Sequence, residues 1–193
     1  MVKNLFFRSD KSPKNVQIKK DILTHFMSNG NDTISEVSKV LDLSVPTITK
    51  FITELMDQDL IKAFGKAHTP GGRHPIVYGL SPESAYFVGV DITRHHLNMG
   101  LMDFTGNMVD IQMGIPFTYD NSIESLDQLG NHIQDFIDKT GERKQKIFNV
   151  NVNISGRVNP ESGYSYSSFY FNERPLSELL TKSLNFKVGI DND

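Results

Sequence analysis

The sequence predicts an α+β chain of two domains: a small helical head with a hairpin at residues 1–82, then an α/β lobe of element order βββαβαβ at residues 83–193. Three observations carry that prediction. Apolar residues recur at helical spacing through residues 15–60, two strand-like runs then bracket a glycine pair, and after Ser84 the texture changes to period-two alternation. A length of 193 residues suits one small and one medium domain, and 38% hydrophobic content provides core material for both.

The first helix is NVQIKKDILTHFMSNG, residues 15–30, with Val16, Ile18, Ile22, Leu23, Phe26 and Met27 on one stripe and Asn29-Gly30 as its stop. The second opens at Asp32-Thr33-Ile34-Ser35-Glu36, where Thr33 and Glu36 stand at capping-box spacing, and it turns Ile34, Val37, Val40 and Leu41 inward. After the short turn Asp42-Leu43-Ser44 comes the third helix. Ser44 can cap it, Pro46 sits in the first turn where its missing N–H costs nothing, and Ile48, Ile52, Leu55 and Met56 face the core. Residues 60–67 (LIKAFGKA) and 75–81 (PIVYGLS) read as strands joined by TPGGRHP, a turn whose adjacent glycines allow backbone angles closed to other residues.

Two helices, a tight turn, a third helix and a glycine-tipped hairpin make a winged helix-turn-helix. In that arrangement the N-terminal end of the third helix enters the DNA major groove, and the wing reaches the backbone or the minor groove. The outward residues there are Ser44, Pro46, Thr47, Thr49, Lys50 and Thr53, whose short hydroxyls and single lysine suit phosphates and thymine methyls. A polar outer face is usually just solvated; the wing behind it tips the reading towards DNA. On the wing, Gly71 and Gly72 let the backbone approach, Arg73 can enter a narrow A·T-rich minor groove, and His74 is a neutral neighbour or a phosphate contact. Charge agrees in sign. Residues 1–80 carry 11 Lys/Arg against 8 Asp/Glu, a net of +3, while residues 81–193 carry 9 against 15, a net of −6.

The lobe begins with strand-like runs at 85–92, 95–104 and 107–117, with tight turns at Thr93-Arg94 and Thr105-Gly106. A helix follows from about Ser122 to Thr140, with Ile123, Leu126, Leu129, Ile133, Phe136 and Ile137 on one stripe. Residues 147–156 read as a strand, 175–184 as a helix and 186–193 as a final strand. This order is that of a half-domain in the actin, sugar-kinase and Hsp70 superfamily, an actin-like or ribonuclease H-like lobe left incomplete. Zero cysteines exclude disulfides and thiolate metal sites in this chain, which fits a cytoplasmic protein. His95 and His96, the only adjacent pair of six histidines, would point to opposite faces of a strand, so no metal site and no cofactor are expected. No apolar run approaches the ~20 residues a membrane helix needs, so no membrane partner is expected.

A winged helix, then TPGGRHP, YFVGVDI, ISGRVNPESG and KVGIDND in that order resembles the ROK family of bacterial repressors and sugar kinases. Gly71, Gly72, Arg73 and Pro75 match that family's GGRxP wing signature. In the family's kinases the first strand turns through a glycine-rich segment that cradles ATP phosphates; here Asp91-Ile92-Thr93-Arg94-His95 has lost both glycines. The resemblance therefore implies no enzymatic activity. It places a partial or vestigial sugar site at Ser155 and Gly156, where the family's loop has lost its proline (Ser155-Gly156-Arg157-Val158-Asn159), and at Asn192 and Asp193. The likeness covers only the front of a family member. A piece of a longer regulator is expected, since the family's second lobe adds further sugar ligands and a Cys/His zinc motif.

The expected protein is thus a cytoplasmic repressor of sugar-metabolism genes. Its partners would be double-stranded operator DNA, a sugar or sugar-derivative effector, and further copies of itself in a homodimer or higher homo-oligomer. Two rivals stay open at this point: an ATP-dependent sugar kinase with an accessory winged head, and a winged helix used for protein contact.

Overall fold

The computed structural model describes residues 12–67, 74–170 and 173–192. They fall into two compact units that divide between Ser84 and Ala85.

In the first unit α1 (Pro13–Asn29) starts on a proline in its first turn and ends at Gly30, whose φ of 76° is cheap for glycine. β1 (Asp32–Thr33) leads directly into α2 (Ile34–Val40), and the Thr33 hydroxyl accepts the Glu36 amide hydrogen at 3.3 Å as the sequence predicts. The capping box is only half built, because the Glu36 carboxylate accepts instead from Lys39 Nζ at 2.7 Å. The turn after α2 puts Asp42 at φ 52°, a left-handed angle that aspartate tolerates, and it is tied by Leu43 N donating to the Ser38 carbonyl at 3.1 Å. α3 (Val45–Asp57) follows, then β2 (Ile61–Lys66) and β3 (Ile76–Leu80), in an antiparallel sheet of order β1-β3-β2. Ile22, Phe26, Val37, Ile48, Phe51 and Leu55 fill the core between the helices and this sheet.

Three residues expected inside lie outside: Met27 and Val40 are each 62% exposed and Met56 is 36% exposed. Each sits in the last turns of its helix; α2, seven residues long, buries Val37 alone. Two polar side chains take interior places on α1 instead. Lys19 pairs with Glu54 at 2.8 Å, and His25 Nε2 lies 3.1 Å from Asp32 Oδ2. Gly79 marks a close approach, since a Cβ there would fall 1.8 Å from Asn31 Oδ1.

The second unit follows the predicted order. β4 (Tyr86–Ile92), β5 (His96–Asp103) and β6 (Met108–Pro116) form an antiparallel meander before α4 (Ile123–Lys139). β7 (Ile147–Ile154) then lies parallel to β4, and after α5 (Leu176–Leu184) the strand β10 (Val188–Asp191) lies parallel to β7. Between β7 and α5 a short hairpin of two two-residue strands, β8 (Val158–Asn159) with β9 (Tyr164–Ser165), is an addition the sequence pattern did not indicate. The five-stranded order is β10-β7-β4-β5-β6. Alternation decides the faces: Val88, Val90 and Ile92 with Val150, Val152 and Ile154 pack into the core shared with Leu129 and Ile133 of α4 and Leu180 of α5. The opposite face carries Asn149, Asn151 and Asn153 on β7, and Gly89 and Asp91 on β4.

Candidate nucleic-acid interface

α3 presents its N-terminal half by a simple division of labour. Ile48, Phe51, Ile52 and Leu55 hold one side in the core, which leaves Pro46, Thr49, Lys50 and Thr53 exposed on the other. Ser44 caps the helix as expected: its hydroxyl accepts the Thr47 amide hydrogen at 3.3 Å and lies 2.8 Å from the Thr47 hydroxyl. Thr47 is half-buried. The Thr49 hydroxyl donates to the Val45 carbonyl at 2.8 Å, and that of Thr53 to the Thr49 carbonyl at 2.9 Å. With those protons used inside the helix, the two threonines offer oxygen lone pairs and methyl groups outward. Such a surface can accept from base amino groups and contact thymine methyls; donation to a phosphate requires the hydroxyl to rotate.

Lys50 is the helix's one cation, with Nζ 3.9 Å from Glu54 Oε1 and 5.3 Å from the centre of the Phe51 ring. The first-turn amides of α3 add the partial positive charge of a helix N-terminus. On the wing, β2 is exposed from Lys62 to Lys66, with Lys62 Nζ 5.2 Å from the centre of the Phe64 ring. Lys62 and Phe64 alternate along the strand and so share a face, whereas a bulge between Ala63 and Lys66 sets Lys66 opposite Ile76, on the face of Ala63 and Tyr78. The strands stay paired to the base of the wing, where Ala67 N donates to the Pro75 carbonyl at 2.8 Å. His74 is exposed, its Nδ1 lying 3.1 Å from the Ala67 carbonyl oxygen, which can only accept, so the hydrogen bond is made when Nδ1 carries a proton. Gly71, Gly72 and Arg73 lie outside the described residues.

The residues expected to meet a sugar emerge at one edge of the second unit's sheet. Ser155 and Gly156 leave the end of β7, and Asn192 leaves the end of β10, its parallel neighbour; all three are exposed. The ends of adjacent parallel strands are where open α/β sheets place ligands. Gly156 is required by geometry, with φ at 117° and a Cβ position only 2.6 Å from Ser167 Cβ. Asp193 lies outside the described residues. Asp91, on the neighbouring strand β4, has its carboxylate engaged by Asn98 Nδ2 at 3.1 Å and Asn153 Nδ2 at 3.4 Å. The turn beyond it is closed by Thr93, whose backbone N–H and hydroxyl both donate to the His96 carbonyl at 3.0 Å. Among the described residues no cluster of His, Asp and Glu could hold a metal ion, and no helix is long and apolar enough to cross a membrane.

Residues 17–62 match a family described as winged helix-turn-helix DNA-binding. The chain is similar to the xylose repressor of Caldicellulosiruptor bescii, with 20% identity over 174 residues, 89% of this chain and 44% of that protein. Against the xylose repressor of Bacillus subtilis the identity is 21% over 176 residues, 90% of this chain and 45% of the relative. The DNA-binding transcriptional dual regulator NagC of Escherichia coli is 24% identical over 129 residues, 66% of this chain and 31% of the regulator. The chain thus spans less than half the length of these curated relatives. Among solved structures, a ROK family transcriptional regulator described as a homolog of the E. coli MLC protein superposes with a TM-score of 0.68 at 20% identity, covering 93% of this chain and 46% of its own. The chain thus carries a winged helix-turn-helix match near its N-terminal end, aligns with the xylose repressors along nine-tenths of its length, and shares its fold over 93% of its length with a ROK family transcriptional regulator.

Proposed function

We propose that this chain is the DNA-binding and part of the effector-sensing portion of a transcriptional repressor of sugar-metabolism genes. Residues 1–82 would bind operator DNA and residues 83–193 would contribute to a sugar site. The observation that carries the reading is the N-terminal half of α3: a capped, rigidly packed helix that turns Pro46, Thr49, Lys50 and Thr53 to solvent beside a basic wing strand. The relatives' printed names, xylose repressor and DNA-binding transcriptional dual regulator, support the same reading. In a homodimer, two such heads would meet two half-sites, and a sugar at the strand ends carrying Ser155, Gly156 and Asn192 would shift the population towards the weaker-binding state.

Duplex binding should fall steeply with salt, because cations on α3 and β2 displace condensed counterions. Lys50→Ala is expected to weaken binding to all sequences alike and to flatten the log–log salt dependence by roughly 0.9, the value of one phosphate contact. Fluorescence anisotropy with labelled duplex across a salt series reads both. A protein with no salt-dependent retention of DNA at low ionic strength would rule the repressor reading out.

The lobe is proposed to be non-catalytic. Asp91 spends its carboxylate on two asparagine amides, and Thr93-Arg94-His95 occupies the turn where the kinases of the family carry phosphate-cradling glycines. A coupled ADP-release assay with hexoses, pentoses and amino sugars should stay at background. Turnover with any of them would move the chain to the kinases.

A further inference from the structure

We propose that Glu54 is a built-in brake on DNA binding, held in place by the buried ammonium of Lys19 and acting on Lys50. The proposal rests on the reading of α3 as the DNA-contacting helix. The Glu54 carboxylate bridges two ammonium groups, with Oε2 at 2.8 Å from Lys19 Nζ and Oε1 at 3.9 Å from Lys50 Nζ. The two lysines differ sharply in setting, since the Lys19 side chain is 3% exposed and that of Lys50 is 62% exposed. Both approach the same ring, at 6.0 Å and 5.3 Å from the centre of Phe51.

This geometry sets the fold against the interface. A buried ammonium needs a nearby carboxylate, because an uncompensated interior charge is strongly destabilising. Glu54 answers that need from the flank of α3, and α1 is thereby tied to α3. The same carboxylate then stands one helical turn from Lys50, the only cation of α3, on the helix proposed to face a polyanion. To reach a phosphate, Lys50 must leave Glu54 and the face of Phe51. Glu54 is therefore a positioning residue whose cost falls on binding and whose benefit falls on the packing of α1 against α3.

The test is a double-mutant cycle read by anisotropy of a labelled mixed-sequence duplex, with the full chain at several salt concentrations. Glu54→Gln should tighten binding about 2- to 5-fold at low salt, the range set by an exposed ion pair. It should also steepen the salt dependence, by only a fraction of the roughly 0.9 that one whole phosphate contact contributes, because Lys50 already reaches a phosphate in the parent. In a Lys50→Ala background the same change should gain almost nothing. Equal gains in both backgrounds would mean simple charge repulsion and overturn the brake, as would no gain in either. Glutamine keeps an oxygen for Lys19; should that variant lose its melting transition, the pair Lys19→Met with Glu54→Gln removes the buried charge together with its partner and enters the same cycle. Absence of duplex binding by every protein would overturn the DNA reading and this inference with it. Binding with additive changes overturns the brake alone.

Discussion

Phe51→Ala is expected to lower the stability of the winged unit by about 3–5 kcal/mol, the usual cost of truncating a buried phenylalanine. The ring is 3% exposed, sits between Ile48 and Ile52 on the inner side of α3, and has two lysine ammoniums near its face. Its loss removes dispersion contacts and leaves a void that close-packed neighbours refill poorly. Total stabilities of small domains are about 5–15 kcal/mol, so the variant should lose much of its cooperative melt. DNA retention should fall with it, although Phe51 faces away from solvent. Phe51→Leu keeps most of the volume and is expected to cost less than about 1.5 kcal/mol. Circular dichroism melts of the three proteins decide the matter. An alanine variant that melts like the parent would show that α3 is not held by this side chain.

Arg73→Ala should cost about 1–3 kcal/mol of operator affinity, the range for losing one base-reading contact, and should relax any preference for A·T pairs where the wing lands. The motivation is sequence: a cation behind two adjacent glycines, between strands that the structure pairs as far as Ala67 and Pro75. Arg73→Lys should recover little, because an ammonium is more strongly hydrated than a guanidinium and is costlier to strip in a narrow groove. The melting temperature of Arg73→Ala should match that of the parent. Suppose instead that it drops while sequence preference stays the same. Arg73 would then belong to the scaffold of the wing, and the glycine-tipped turn would have no part in reading DNA.

Local pattern made most of the architecture legible. Period 3.6 through residues 15–57 and period 2 after Ser84 mark elements whose faces the core confirms at Ile22, Ile48, Val88 and Val150. Caps were equally readable, since Thr33 and Ser44 act through bonds spanning three residues. What escaped depends on partners distant in sequence. Lys19 and His25 look like surface positions until Glu54 and Asp32 are brought to them by folding. Phe51 falls between the residues picked as the inner stripe, and its burial follows from how α3 is rolled, which periodicity fixes only to within one position. On the candidate interface, sequence named the exposed side chains but not their present bonds. That Thr49 and Thr53 donate back into their own helix is a matter of rotamer, decided by solvent exposure and neighbouring carbonyls.

The pairing of the second unit's sheet also dictates an order of events in time. β4, β5 and β6 are joined by short turns and can assemble as a meander from neighbouring sequence. β7 must add in parallel beside β4 after the chain has passed through α4, and β10 beside β7 after α5; both are slow, non-local steps. Until β7 arrives, β4 has an unpaired edge running along Val88, Val90 and Ile92, side chains that end up wholly inside. An open apolar edge is a template for another chain as readily as for its own later strand. The yield of folded protein is therefore set by a race: how soon β7 is synthesised and docked, against how many other unfinished chains are near enough to take its place.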